Sequence, residues 1–62
     1  MEKMTPKMIR VSLKMNQEEM AEALKLSRQS YNGKENGKSE FSFFEAKKMC
    51  EMANISMDAF DV

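Results

Sequence analysis

Arg28, Gln29 and Asn32 are the side chains of this 62-residue chain best equipped for directional contacts with another molecule. Arginine presents paired donors, and glutamine and asparagine each present a donor beside an acceptor. Projected from the outer face of an inserted helix, such groups read base edges in a major groove. Arginine pairs with guanine N7 and O6, and glutamine or asparagine with adenine N6 and N7. Gly33 shares that face and can only allow close approach. Gln17 sits where a preceding helix starts, and backbone N–H groups there favour an anion. The plain alternative for the whole group is exposed polar surface without a ligand. Other chemistry lacks its parts. There is no histidine and one cysteine, Cys50, so the usual zinc ligand set is missing. No glycine-rich phosphate loop occurs, and so small a chain has little room for a catalytic cavity. We expect no enzyme, no metal, no cofactor and no small-molecule substrate.

The elements that must hold these groups lie between Asn16 and Lys38. Asn16 and Glu19 have the spacing of a capping box, and Glu18 and Glu19 suit the positive end of a helix dipole. Met20, Ala23 and Leu24 recur at helical spacing and define one apolar face. Lys25 and Leu26 form a turn, Ser27 is a good N-cap, and a second helix runs to about Asn36, with Gly37 at the left-handed position beyond it. Two short helices joined by a tight turn make a helix-turn-helix candidate.

The flanks also read as helices. Thr5-Pro6 is a helix start, and Ile9 with Leu13 gives an apolar pair opposite a polar face of Lys7, Arg10 and Lys14. Residues 1–4 are expected to be a loose terminus. Ser42 and Glu45 form a second capping box, after which Phe43, Ala46, Met49, Cys50 and Ala53 are expected to pack inward. Asn54 is a left-handed cap, and Ser56 opens a last short helix with Met57, Ala59 and Phe60. The expectation is therefore one all-α domain over 1–62 with five helices, at about 6–14, 17–24, 28–36, 43–53 and 57–60. The Asn-Gly pairs at 32–33 and 36–37 lack flanking alternation, so a hairpin is rejected. Eight methionines fit gap-filling in a small core better than a metal or peptide surface. Cys50, on an apolar stripe, reads as a small buried hydrophobe.

Net charge is zero, yet unevenly spread. Residues 1–38 carry eight Lys/Arg and five Glu, hence +3, and residues 39–62 carry two Lys and five acids, hence −3. A neutral total with a basic half is compatible with a DNA-facing side. No run approaches a membrane span and no signal pattern opens the chain, so a soluble, cytoplasmic protein is expected.

The chain resembles the lambda-repressor-like (Cro and phage repressor, XRE type) helix-turn-helix domains. The likeness rests on Gln17-Glu18-Glu19, on Ala21 where two helices cross, on Leu26-Ser27-Arg28, and on Glu35-Asn36-Gly37-Lys38. It continues through Ile9-Arg10-Val11 and Asn54-Ile55-Ser56-Met57-Asp58. Two departures are a lysine, Lys25, where the family usually has glycine in the turn, and Gly33-Lys34 in place of a polar–apolar pair. Gly33 costs about 1 kcal/mol relative to alanine in mid-helix, so fraying after Asn32 is expected.

The resemblance implies sequence-specific binding of double-stranded DNA by a phage- or prophage-type regulator, a repressor by preference, with helix 28–36 in the major groove. It implies base contacts from Arg28, Gln29, Asn32 and Gly33. Phosphate contacts are implied for Gln17, Asn36 and Lys38, with Ser30, Lys14 and Lys34 as further candidates. Lys34 has a rival role, covering a core gap with its stem. Arg10 and Glu35 are implied as a structural ion pair. Two copies would bind neighbouring half-sites, associating through Met57, Phe60 and Val62. The alternative is a scaffold for protein contact, as an adaptor or anti-repressor, or a bare structural part of a larger assembly.

Overall fold

A computed structural model describes residues 3–61. Four α-helices follow in order: α1 (Pro6–Ser12), α2 (Gln17–Ala23), α3 (Arg28–Glu35) and α4 (Phe43–Ala53). Each opens on a side chain that occupies an otherwise unpaired backbone N–H three residues on. Thr5 accepts from Met8, Asn16 from Glu19, Ser27 from Ser30 and Ser42 from Glu45. The boxes at Asn16/Glu19 and Ser42/Glu45 are closed in both directions.

All four helices also end alike. Lys14, Lys25, Gly37 and Asn54 have φ of 58°, 60°, 84° and 57°. In each case the following residue donates back five positions: Met15 to Arg10, Leu26 to Ala21, Lys38 to Gly33 and Ile55 to Cys50, at 2.8–3.2 Å. Met15, Leu26 and Ile55 then pack against the core, the apolar contact that accompanies this ending. The left-handed conformation costs a lysine about 1–2 kcal/mol, and the recovered carbonyl bonds and buried side chains offset it. This ending sets the boundary of the first helix. It stops at Ser12 rather than running to Lys14, and Ser12 Oγ donates to the Ile9 carbonyl at 2.7 Å. In the third, no fraying occurs at Gly33, and the helix continues to Glu35.

The core joins Ile9 of α1, Met20 and Ala21 of α2, Leu24, Tyr31 of α3, Ala46, Met49 and Cys50 of α4, and Phe60. α2 packs on α3 and α1 on α4. Several expectations are corrected. The last helix is only a 3-10 turn, Met57–Ala59, whose Ser56 makes no capping bond. Instead of continuing, the chain closes on the other terminus. Met4 N–H donates to Ala59 and Asp61 N–H to Met4, at 2.7 and 2.9 Å, so Met4 is not loose. Met1 and Glu2 lie outside the described residues. Phe60 is buried, not exposed, and Met57 is exposed; Val62 lies outside the described residues. Phe43 does not pack inward: it is 73% exposed and Phe44 65%. Phe41, ahead of the cap, fills that end of the core instead, edge-on to Tyr31 at 5.8 Å and to Phe60 at 6.1 Å between ring centres.

Candidate nucleic-acid interface

The α2–turn–α3 unit presents its polar side chains in two groups. Arg28, Gln29 and Ser30 stand exposed on the first turn of α3, and Asn36 and Lys38 stand exposed at its other end. Asn32 lies between them, half-buried, because it is tied to α2: its Nδ2 donates to Gln17 Oε1 at 3.1 Å. Gln17, Arg28, Gln29 and Asn32 together line a shallow depression. Gly33 is backed by Lys38, whose Cβ would be 4.0 Å from an added Cβ, an ordinary contact. Lys14 is exposed in the turn between α1 and α2.

Behind this face lies a carboxylate with an unusual number of donors. The Glu35 side chain, 4% exposed, accepts from Arg10 Nε at 2.9 Å, Tyr31 Oη at 2.6 Å and Gln17 Nε2 at 3.1 Å. Arg10 reaches further, its Nη1 donating to the Met15 carbonyl at 2.9 Å, so one guanidinium joins α1, α3 and the turn before α2. Burial disfavours the Glu35 charge, but the hydrogen bonds from Arg10, Tyr31 and Gln17 outweigh it and hold the carboxyl below its ordinary range. The same bond to Glu35 pushes Arg10 upward, and burial, then the bond to Glu35, pushes the Tyr31 hydroxyl upward.

Lys34 is drawn away from the outward face. Its Nζ donates to Glu45 at 2.6 Å, its side chain is 17% exposed, and the ammonium lies 6.0 Å from the centre of the Phe41 ring. Glu45, also the capping-box partner of Ser42, is held below the ordinary carboxyl range despite burial, chiefly by Lys34. Lys34 therefore covers the core rather than offering a free cation, the rival role set out above. The sequence reasoning missed both this pair and the tie between Gln17 and Asn32, which are fifteen positions apart. The Asn32–Asn36 bond, at 3.2 Å, and the Tyr31–Glu35 bond, at 2.6 Å, had a sequence signal, the i,i+4 spacing within one helix.

No described group of acidic, cysteine or histidine residues is placed to hold a metal, and no described helix is long and apolar enough to cross a membrane. A helix-turn-helix family model matches residues 7–60, while no curated protein and no solved structure matches the chain. That match takes in every helix but the first residue of α1, and with it this chain belongs to the lambda-repressor-like helix-turn-helix family, whose domains are DNA-binding and regulatory.

Proposed function

We propose that the protein is a sequence-specific transcription regulator of phage or prophage type, a repressor, that inserts α3 into the major groove of its operator. The observation that carries this reading is the donor-rich first turn of α3 beside Gln17, held to it through Asn32 at 3.1 Å. Arg28 and Gln29 read bases, Asn32 reads a third, and Gly33 lets the helix approach closely. Gln17, Ser30, Asn36, Lys38 and Lys14 contact phosphates; Lys34, engaged by Glu45, is left out of that set. Two copies occupy half-sites about 34–36 Å apart, and with Phe60 buried the exposed Met57 is what remains, among the described residues, of the expected self-association surface. The site of action is the cytoplasm, where the operator is.

Random-site selection followed by a salt titration tests this. Arg28→Ala is expected to cost about 1–3 kcal/mol at the base pair it reads and to relax preference there. Lys38→Ala is expected to weaken binding evenly across sequences and to lower the salt slope by about one. An unchanged preference in the first variant would count against the reading. A second reading, contact with another protein, is favoured by the exposed Phe43 and Phe44. Failure to shift mixed duplex at low salt and tens of micromolar would promote it.

A further inference from the structure

An unbroken run of side-chain hydrogen bonds leads from the buried pair to the outward face of α3. Glu35 Oε1 accepts from Gln17 Nε2 at 3.1 Å. Gln17 Oε1 accepts from Asn32 Nδ2 at 3.1 Å, and Asn32 Oδ1 accepts from Asn36 Nδ2 at 3.2 Å. A free amide can turn over at little cost, exchanging carbonyl for NH2. These amides cannot, because an ionised carboxylate only accepts. Gln17 must offer Glu35 its NH2, which turns its carbonyl to Asn32. Asn32 must then answer with NH2, which turns its own carbonyl to Asn36. Reversing Gln17 sets a carbonyl against a buried carboxylate, and reversing Asn32 alone sets carbonyl against carbonyl. One buried charge thus gives the whole chain of amides its direction.

We infer that Glu35 is a positioning residue for base readout, fixing through Gln17 which end of the Asn32 amide lies towards which end of α3. The inference rests on the DNA-binding function proposed above. With one N–H given to Gln17 and one lone pair to Asn36, Asn32 keeps one N–H and one lone pair. These are the complement of the adenine N7 and N6 pair, and they stand in a single order along the groove. An asparagine free to turn over offers both orders and cannot tell which strand carries the adenine.

Two experiments test it. The first needs no DNA: the side-chain amide signals of Gln17 and Asn32 are followed by NMR while Glu35 is titrated with acid. Both are expected to shift along the Glu35 titration, and signals indifferent to it overturn the relay. The second compares base preference at each operator position in Glu35→Gln and Asn36→Asp. Glutamine can donate or accept, so it removes the direction. Aspartate at the exposed position 36 opposes the direction from the outer end without touching the buried pair, and it keeps the test alive if Glu35→Gln does not fold. Each variant is expected to lose about fivefold or more of its preference at one base pair, with the other positions unchanged. Asn36 is also a proposed phosphate contact, so its aspartate is expected to lower affinity for all sequences alike. Base preference is what decides, and a preference lost evenly at all positions, or at none, overturns the inference. Coupled amides in a protein that binds no duplex overturn the functional reading and the readout role with it; uncoupled amides in a protein that does bind overturn the relay alone.

Discussion

Replacing Arg10 by methionine keeps most of the side-chain volume and removes the cation from a pair that is 14% and 4% exposed. Three hydrogen bonds go with it, two to Glu35 and one to the Met15 carbonyl. Removing one partner of a buried pair costs about 3–5 kcal/mol. The lower end applies, because Tyr31 and Gln17 continue to donate to Glu35. A domain of this size has roughly 3–9 kcal/mol in total, so the variant stands at the edge of folding, with a midpoint lowered by roughly 12–24 °C. The pH dependence separates this cause from simple loss of packing. In the intact protein Glu35 is held below its ordinary value, so its contribution is full above the unfolded carboxyl value of about 4.3. That contribution is lost as pH falls through the lower folded value. Without Arg10, burial is opposed by Tyr31 and Gln17 only, and the carboxyl takes its proton at a higher pH than in the intact chain. The Glu45 contribution is common to both proteins and cancels in the difference. Urea unfolding at pH 7 and at about 3.5 should therefore show a gap that narrows on acidification. An equal gap at both values would refute the reasoning.

Four other outcomes are open to direct measurement. Phe41→Ala should cost about 2–3 kcal/mol in thermal unfolding, at or below the low end for phenylalanine truncation because the ring is only half-buried. The exposed Phe43→Ala should change stability by no more than about 0.5 kcal/mol. Gly33→Ala should raise stability by about 1 kcal/mol, since the added methyl meets nothing nearer than 4.0 Å, while weakening operator binding in a mobility shift. On the alkaline side, burial pushes both the Cys50 thiol and the Tyr31 hydroxyl above their ordinary values. Their contribution is full below the unfolded value, about 8.5 for the thiol, and is lost as pH rises towards the folded one, so urea midpoints should fall from about pH 8.5 upward.

What the sequence makes legible here is local. Caps and endings involve residues three to five positions apart, so Asn16/Glu19, Ser42/Glu45, Gly37 and Asn54 could be identified without coordinates, and element limits followed to within two residues, the last element differing in being a 3-10 turn. The misplaced aromatics mark where that stops. Phe43 has the spacing of the Ala46–Cys50 stripe, but periodicity does not say how far the core extends beneath the first turn of α4. Phe41 belongs to no periodic segment, yet it fills the space because three elements meet there. Likewise the turn Met57–Ala59 depends on Met4, more than fifty positions away, to pair with the chain beyond it. At the site, residue types announced the outward face, whereas the ties from Glu35 to Gln17 and from Lys34 to Glu45 required the helices to be brought together.

Two kinds of local irregularity occur in the motif, and they differ in what they report. Lys25 is in a left-handed conformation that disfavours it, but the fold gives a return: Leu26 N–H reaches the Ala21 carbonyl at 2.8 Å and its side chain packs on the core. That irregularity is structural. Gly33 is different. Its φ is not in the left-handed region, no neighbour would be crowded by a Cβ, and it weakens the helix that carries Arg28 and Asn32. Nothing inside the protein uses its lack of a side chain. Under the function proposed above, a mid-helix glycine that crowds no neighbour is accounted for by a duplex surface that must come close to it from outside. That is why Gly33→Ala is expected to move stability and operator affinity in opposite directions. A variant gaining in both would remove the strongest reason to regard this face as one that meets a duplex at short range.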